Sequence, residues 1–493
     1  MSDPNNQRAD RHVHDVAIIG AGFSGIGMGI KLDEAGIGDF VILERGDDIG
    51  GTWRDNDYPG CACDIPSHLY SYSFEQNAAW TRLYPPQAEI QGYLRSCARK
   101  RDIMRRVELG ADVTRAAFDD RRRTWVVSTA DGRTVTARAL VSAIGGLSRP
   151  VVPDLPGLHR FRGEAFHSAR WDHGYDLRGK RVAVVGTGAS AVQFVPQIAP
   201  LAGHVALFQR SAPWIVPKPD RPMRAWELRL FRRLPLTRWL FRSFLYWRQE
   251  VRGVGFTVSP RLMRLARRMA FDHLTGSVAD PDLRAKLTPD YAIGCKRILL
   301  SDDYYPAVQR DNVTLVTDSI AEVTEDAVID RTGRRHEVDA IIFGTGFNAT
   351  DPLTPTRIFG SGGRELATDW EGGPEAFLGV SVAGYPNLFL LMGPNTGLGH
   401  NSMIFMIEAQ IRYAVSLLAH ALSHGAADVR ADVQAAYNQA LQRAFEGTVW
   451  TSGCNSWYQA ESGRQAVLWP GFTFSYWFRT LRPKLDRYKF VSR

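Results

Sequence analysis

Asp15-Val16-Ala17-Ile18-Ile19-Gly20-Ala21-Gly22-Phe23-Ser24-Gly25 is the stretch on which the reading of this chain turns. A short apolar run ends in three glycines, and a helix-compatible segment continues to Ala35. The order is strand, glycine turn, helix. The first glycine permits a tight turn, the second lets a pyrophosphate approach the backbone, and the third lets helix and strand pack closely. A second apolar run, Phe40 to Leu43, ends in Glu44, nineteen residues past Gly25. A carboxylate there can accept hydrogen bonds from ribose hydroxyls. The cofactor-binding candidates of this unit are therefore Gly20, Gly22, Phe23, Ser24, Gly25 and Glu44.

The same pattern returns at Arg181 to Val185, which runs into Gly186-Thr187-Gly188-Ala189-Ser190-Ala191, an apolar helix and a second run, Val205 to Phe208. Nineteen residues past Ala191 stands Arg210 in place of an acid, followed by Ser211. A cation suits a 2′-phosphate, so the second unit reads as an NADPH site and the first as a site for an adenine dinucleotide without that phosphate. Two such units fit FAD plus NADPH, hence a flavoprotein oxidoreductase. A redox dithiol is not expected, because Cys61-Ala62-Cys63 lacks the C-x-x-C spacing.

Around these units the chain reads as an ordinary packed protein. Its 493 residues exceed one core, and 44% hydrophobic with 23% charged residues excludes a disordered chain. Met1 to Asp15 is polar, no apolar run reaches bilayer length, and the five cysteines form no disulfide or zinc spacing, so a cytoplasmic setting is expected and no metal site. A net charge of +8 raises three partners: phosphate-bearing cofactors, an anionic membrane surface, or nucleic acid. Nucleic acid is not expected. The arginines are densest from 221 to 252, interleaved with Trp226, Phe231, Trp239, Phe241, Phe244 and Trp247. The preferred reading is snorkelling arginines around an aromatic core, with peripheral membrane contact as the alternative.

Further motifs carry a family resemblance. Phe161-Arg162-Gly163-Glu164-Ala165-Phe166-His167-Ser168-Ala169-Arg170-Trp171-Asp172 fits the fingerprint F-x-G-x-x-x-H-x-x-x-W-[P/D], and Gly50-Gly51-Thr52-Trp53 with Tyr58-Pro59-Gly60 and Asp64 fits a second signature. The chain thus resembles the Baeyer–Villiger monooxygenases, FAD- and NADPH-dependent flavoproteins that insert one oxygen atom of O2 beside a ketone carbonyl. The resemblance spans nearly the whole chain. It implies an α/β fold of two Rossmann-like dinucleotide-binding domains, one for FAD and one for NADPH, with a helical insertion in the NADPH domain. The expected division is 13–146 and 376–493 for FAD, 147–214 and 295–375 for NADPH, and 215–294 for the insertion.

It also implies roles. Gly51, Thr52, Trp53, Asp64, Tyr70 and Met403 look like flavin neighbours; Lys296 looks like the contact to the 2′-phosphate, Arg297 like the catalytic arginine, and Trp457 like part of a C-terminal loop that closes over NADP. Gly344-Thr345-Gly346-Phe347 resembles an A-T-G-F segment with glycine in place of alanine, and His167 looks structural. The implied reaction converts a ketone to an ester or lactone through a C4a-peroxyflavin, stabilised by Arg297 that Asp64 positions. Three alternatives stay open: N- or S-oxygenation on the same fold, a redox-inactive NADPH-binding sensor or membrane-associated scaffold, and an ordinary Asp64–Arg297 ion pair. The ketone and the oligomeric state are not read from the sequence.

Overall fold

Two sheets carry the molecule, one mixed and one parallel, each grown around one glycine turn. The computed structural model describes residues 12–348, 356–453, 458–460 and 462–491. In the first sheet Val13–Ile19 lies between Phe40–Leu43 and Thr134–Ser142, parallel to both, and Val107–Glu108 continues beyond Phe40–Leu43. An antiparallel meander, Val113–Asp119, Thr124–Thr129 and Thr134–Ser142, extends the other side. Leu388–Leu390 pairs in parallel with the C-terminal end of Thr134–Ser142, so the late part of the chain completes this sheet. The second sheet is wholly parallel, in the order Val313–Val316, His204–Phe208, Arg181–Val185, Ala340–Phe343, Glu164–His167.

Period-2 alternation explains why these short runs form strands buried on both faces. Val16 and Ile18 enter one apolar cluster while Ala17 and Ile19 enter another. In the second sheet Val182 and Val184 point one way and Ala183 the other. The cluster holding Ile18 also holds Val184, so one continuous core joins the two units.

Two crossings connect the sheets and run side by side. Pro150 bridges Phe347, Val151 N–H donates to the Gly346 carbonyl at 2.9 Å, and Asn348 N–H to the Arg149 carbonyl at 3.0 Å. His167 ends the edge strand of the second sheet; its Nδ1 accepts from Ala169 N–H at 3.0 Å and its ring meets Phe347 edge-on. Burial lowers its pKa to about 4, so it is neutral, as a structural histidine would be.

The strand Arg357–Phe359 pairs with Val113–Asp119. The chain has therefore rejoined the first sheet well before position 376, where the sequence reading put the return. Three residues are too short to show a strand period, so the sequence carries no sign of this return. Between the two halves of the second unit stand the helices Ala225–Arg233, Pro235–Thr257, Met263–Ser277 and Pro281–Lys286. A two-strand parallel clasp, Ile215–Val216 with Leu299–Leu300, closes their base. Among the described residues no helix is long and apolar enough to cross a membrane.

Candidate active site

Both glycine turns open into one cavity of about 920 Å3 that runs between the sheets. Every candidate residue read from the sequence borders it, with three exceptions: Gly25, Ala191 and Trp457. The first two lie at helix–strand crossings, and Trp457 lies outside the described residues.

At the first turn Gly20 has φ +100°, and a Cβ there would stand 2.7 Å from the Ala143 carbonyl oxygen. Gly22 differs. A Cβ on it would meet nothing nearer than the Gly51 Cα at 3.7 Å, so its missing side chain keeps open the space between two glycine backbones. That gap lies at the N-terminus of helix Phe23–Glu34, which no side chain caps. Orphan N–H groups and the helix dipole there suit a pyrophosphate, so the residues fit FAD. Gly186 repeats the first position, with φ +102° and a Cβ 2.6 Å from the Gly344 carbonyl oxygen. Gly188 likewise precedes an uncapped helix, Ala189–Ile198.

The residues at the ends of the second strands differ as the sequence indicated. Glu44 is buried, accepts from Ala21 N–H at 2.8 Å and Gly46 N–H at 2.9 Å, and pairs with Arg54 at 2.6 Å. It braces the glycine turn as well as bordering the cavity. Arg210 is exposed to the cavity, and Lys296 Nζ sits 3.3 Å from Ser211 Oγ and 4.5 Å from the centre of the Tyr291 ring. Burial first, then the Arg210 charge, pull the Lys296 ammonium below the usual lysine range. Two cations held where they repel each other make an anion site.

Arg297 and Asp64 meet across the cavity, 233 residues apart in sequence. Nε and Nη2 of Arg297 both donate to one oxygen, Oδ2 of Asp64, at 2.9 and 2.5 Å. Nη1 has no hydrogen-bond partner among the described residues. The Asp64 charge, acting against burial, raises the Arg297 pKa, so the guanidinium keeps its proton at any working pH. Beside it an aromatic wall rises: Trp53 Nε1–H donates to Tyr70 Oη at 3.0 Å, and Tyr70 meets Phe23 edge-on. Met403 opens the helix Met403–His424, whose N-cap Ser402 accepts from Ile404 N–H.

Sequence reasoning missed three supports. Gln193, on the second helix, accepts from Tyr58 Oη–H at 2.9 Å and donates to the Ala62 carbonyl at 2.9 Å, tying the Asp64 loop to the other unit. Its polarity between the buried Val192 and Phe194 was the available signal. Arg54, two residues before Asn56, carried no signal for pairing with Glu44. The third is a buried cluster: Glu250 accepts from Asn401 Nδ2–H and Thr473 N–H, both at 2.6 Å, with His400 beside it.

The cysteines support the reading against a dithiol. Cys61 and Cys63 are buried and free, and burial pushes the Cys61 thiol up to about 12, far from a reactive thiolate. Cys295, next to Lys296, is disulfide-bonded, although no spacing in the sequence announced a cross-link.

Comparisons with known proteins agree with this geometry. Residues 13–359 match the family model described as flavin-binding monooxygenase-like. A protein of Pseudomonas aeruginosa named Baeyer-Villiger monooxygenase is 51% identical over 490 residues, covering 99% of this chain and 92% of its own. The structure of cyclohexanone monooxygenase from Rhodococcus sp. Phi1 bound to NADP+ superimposes with a TM-score of 0.87 at 28% identity, covering 98% of this chain and 99% of that one. The OTEMO complex with FAD and NADP does so at 0.88 and 26% identity, covering 97% and 99%.

Proposed function

Since the chain belongs to the flavin-binding monooxygenase-like family, we infer that it is an FAD- and NADPH-dependent Baeyer–Villiger monooxygenase in which Arg297, positioned by Asp64, is the catalytic cation. It converts a ketone to an ester or lactone, using O2 and NADPH. The small-molecule partners are thus a ketone and O2, and the setting is cytoplasmic.

When bound, FAD supplies hydride acceptance from NADPH and the activation of O2. The chain's residues do the rest. Gly20 and Gly22 leave backbone exposed to the FAD pyrophosphate at the first helix N-terminus, while Glu44 and Arg54 hold that turn in shape. Gly186 to Ser190 do the same for NADPH, and Arg210 and Lys296 take its 2′-phosphate. Trp53, Tyr70 and Met403 exclude water from the flavin side. Arg297 acts by fixed charge and N–H donation, never as an acid, because Asp64 holds its proton. That suits a reaction in which negative charge builds on oxygen before it attacks a carbonyl carbon. Asp64 uses one oxygen for both bonds, which fixes the guanidinium plane and leaves Nη1 for the reacting oxygen.

The domain division proposed is 13–146 with the C-terminal part for FAD, 147–214 with 295–348 for NADPH, and 215–294 as the insertion, with the strand Arg357–Phe359 counted with the FAD domain. The single observation that carries the function is the Arg297–Asp64 pair, set between two glycine turns that share one cavity. The test is oxygen uptake and NADPH oxidation over linear, cyclic, aryl and polycyclic ketones, with product mass. Esters or lactones sixteen mass units above the ketone support the reading. N-oxides or sulfoxides from amine and sulfide controls, with no ester from any ketone, would replace it with the N- or S-oxygenating alternative.

A further inference from the structure

The helical insertion turns a different face outward from the one its sequence led us to expect. Phe231 and Leu245 are buried and Phe241 is partly so, whereas Trp226, Trp239 and Trp247 are each 56% exposed and Phe244 is 60% exposed. Those three are the exposed tryptophans among the described residues. The six aromatics interleaved with the arginines are thus split, and four of them lie outside any core.

On the helix Pro235–Thr257 the exposed apolar residues Leu236, Leu240, Phe244, Trp247 and Val251 recur at steps of four, four, three and four. They form one stripe along the whole helix. Leu262, Leu265 and Met269 add to it from the following segment. A soluble monomer rarely leaves so continuous an apolar strip in water.

The charges around it are nearly all positive; Asp272, further along the last helix, pairs with Arg268. From Arg224 to Phe271 the sequence holds twelve arginines and two acids, and both acids, Glu227 and Glu250, are buried. Arg229, Arg232 and Arg233 stand exposed on the preceding helix; Arg261, Arg264 and Arg267 stand exposed on the following segment. None of these six makes an ion pair among the described residues. Exposed tryptophan and leucine on a helix flanked by unpaired arginines is the make-up of an interfacial helix, with rings at headgroup depth and guanidinium groups on lipid phosphates. The arginines along helix Pro235–Thr257 rule out insertion across the bilayer, so it lies on the surface.

We propose that the face formed by residues 225–269 docks on an anionic lipid bilayer and that the enzyme's ketone is a lipophilic one held in that bilayer. The second half rests on the function proposed above. The inner side of the same helix supplies the link. Buried Arg242 donates to the carbonyls of His68 at 2.7 Å and Ser71 at 2.9 Å, on either side of Tyr70, and Glu250 holds Asn401 two residues from Met403. Tyr70 and Met403 border the cavity. The docking helix is therefore the back of the active-site wall, and a ketone leaving the bilayer at this face has one layer of protein to pass.

The experiment is flotation of the FAD-loaded protein with vesicles of phosphatidylcholine and phosphatidylglycerol at 7:3, against pure phosphatidylcholine, with no ketone present. Wild type should float with the anionic vesicles and stay down with the neutral ones. The charge reversal R229E/R232E/R233E should cut partitioning by at least about 100-fold, since each arginine lost at such a surface costs roughly five-fold and each glutamate added repels the lipid further. W239A/F244A/W247A should cut it at least about tenfold, with unchanged flavin absorbance and circular dichroism confirming the fold. Wild type that stays down with anionic vesicles overturns the proposal. So does a dimer, seen by light scattering, that either triple variant dissociates, because a second copy would then cover the face. Turnover of a water-soluble ketone without vesicles tests the reaction separately. Given turnover, long-chain ketones should be consumed at least tenfold faster from anionic vesicles by wild type than by either variant, and equal rates would overturn the substrate class.

Discussion

The two dinucleotide units meet the same crossing of helix and strand with different small residues, for different reasons. In the first, Gly25 faces the crossing strand at Ala143; in the second, Ala191 faces it at Gly344. A Cβ on Gly25 would stand 1.8 Å from the Gly20 carbonyl oxygen, and one on Gly344 would stand 3.2 Å from the Ala191 Cβ. In the first unit the turn's own carbonyl excludes the methyl, since the Ala143 Cβ would stand at an ordinary 3.6 Å; in the second the methyl of Ala191 is admitted and the crowding falls on Gly344. The glycine of Gly344-Thr345-Gly346-Phe347, where the family resemblance expected alanine, makes room for the methyl of Ala191. The lesson is that a departure from a motif has to be read together with the residue it touches.

The same comparison separates the ligands. Glu44 is tied down by two backbone N–H groups and Arg54, whereas Arg210 and Lys296 are left facing each other's charge. One end is braced and the other is poised for an anion.

The largest effect should come from Gly25→Ala. Its methyl meets backbone, which cannot move aside cheaply, so the protein should be insoluble or carry no flavin, while the second unit tolerates alanine at the matching position. Flavin absorbance per mole of purified protein measures this, and full occupancy would contradict the packing account. Next in size, Arg210→Ala should raise KM for NADPH on the order of 10- to 100-fold, the range for losing a charge-assisted hydrogen bond, and leave KM for NADH unchanged. Equal effects on both cofactors would remove Arg210 from the 2′-phosphate.

A pH series sharpens that result. A lysine whose pKa is lowered loses its proton earlier as pH rises, so KM for NADPH should climb on the alkaline side before an ordinary lysine titrates. In Arg210→Ala the step should move to higher pH, because one of the two causes of the lowering is gone. The smallest effect belongs to Gly344→Ala, which crowds Ala191 and should cost about 1 kcal/mol in denaturant midpoint analysis. Adding Ala191→Gly should return most of it. Additive losses would show that the two positions do not share one space.

Much of this was legible in the sequence because glycine turns leave a local mark. Backbone approach at Gly20, Gly22, Gly186 and Gly188 forbids side chains at fixed spacing, and the residue nineteen positions on marks the ligand's ribose. The two nucleotide units and their sheets follow from such marks, whereas Arg297 is singled out only by the family resemblance. What could not be read depends on partners far apart in sequence. Gln193 meets Tyr58 across 135 residues, and Arg242 meets His68 across 174. The return of the chain to the first sheet at Arg357–Phe359 rests on three residues, too few for a period. Alternating arginine and aromatic residues fit a core or a surface equally, and only the exposure of Trp239, Phe244 and Trp247 decides between them.

The central claim is that the Arg297–Asp64 pair does the oxygen chemistry's electrostatic work, and the most direct measurement is ketone product per NADPH consumed by Arg297→Ala and Arg297→Lys beside wild type. Loss of one preorganised donor to a developing oxyanion costs on the order of 10²–10³ in rate. Arg297→Ala should therefore bind FAD normally but yield ester at 10²- to 10³-fold lower rate, with NADPH oxidation uncoupled from product. Arg297→Lys should stay impaired, since a point charge cannot keep both bonds to Asp64 Oδ2 and a further N–H for the reacting oxygen. Wild-type yield and coupling in Arg297→Ala would show that the charge is met elsewhere and would contradict the account.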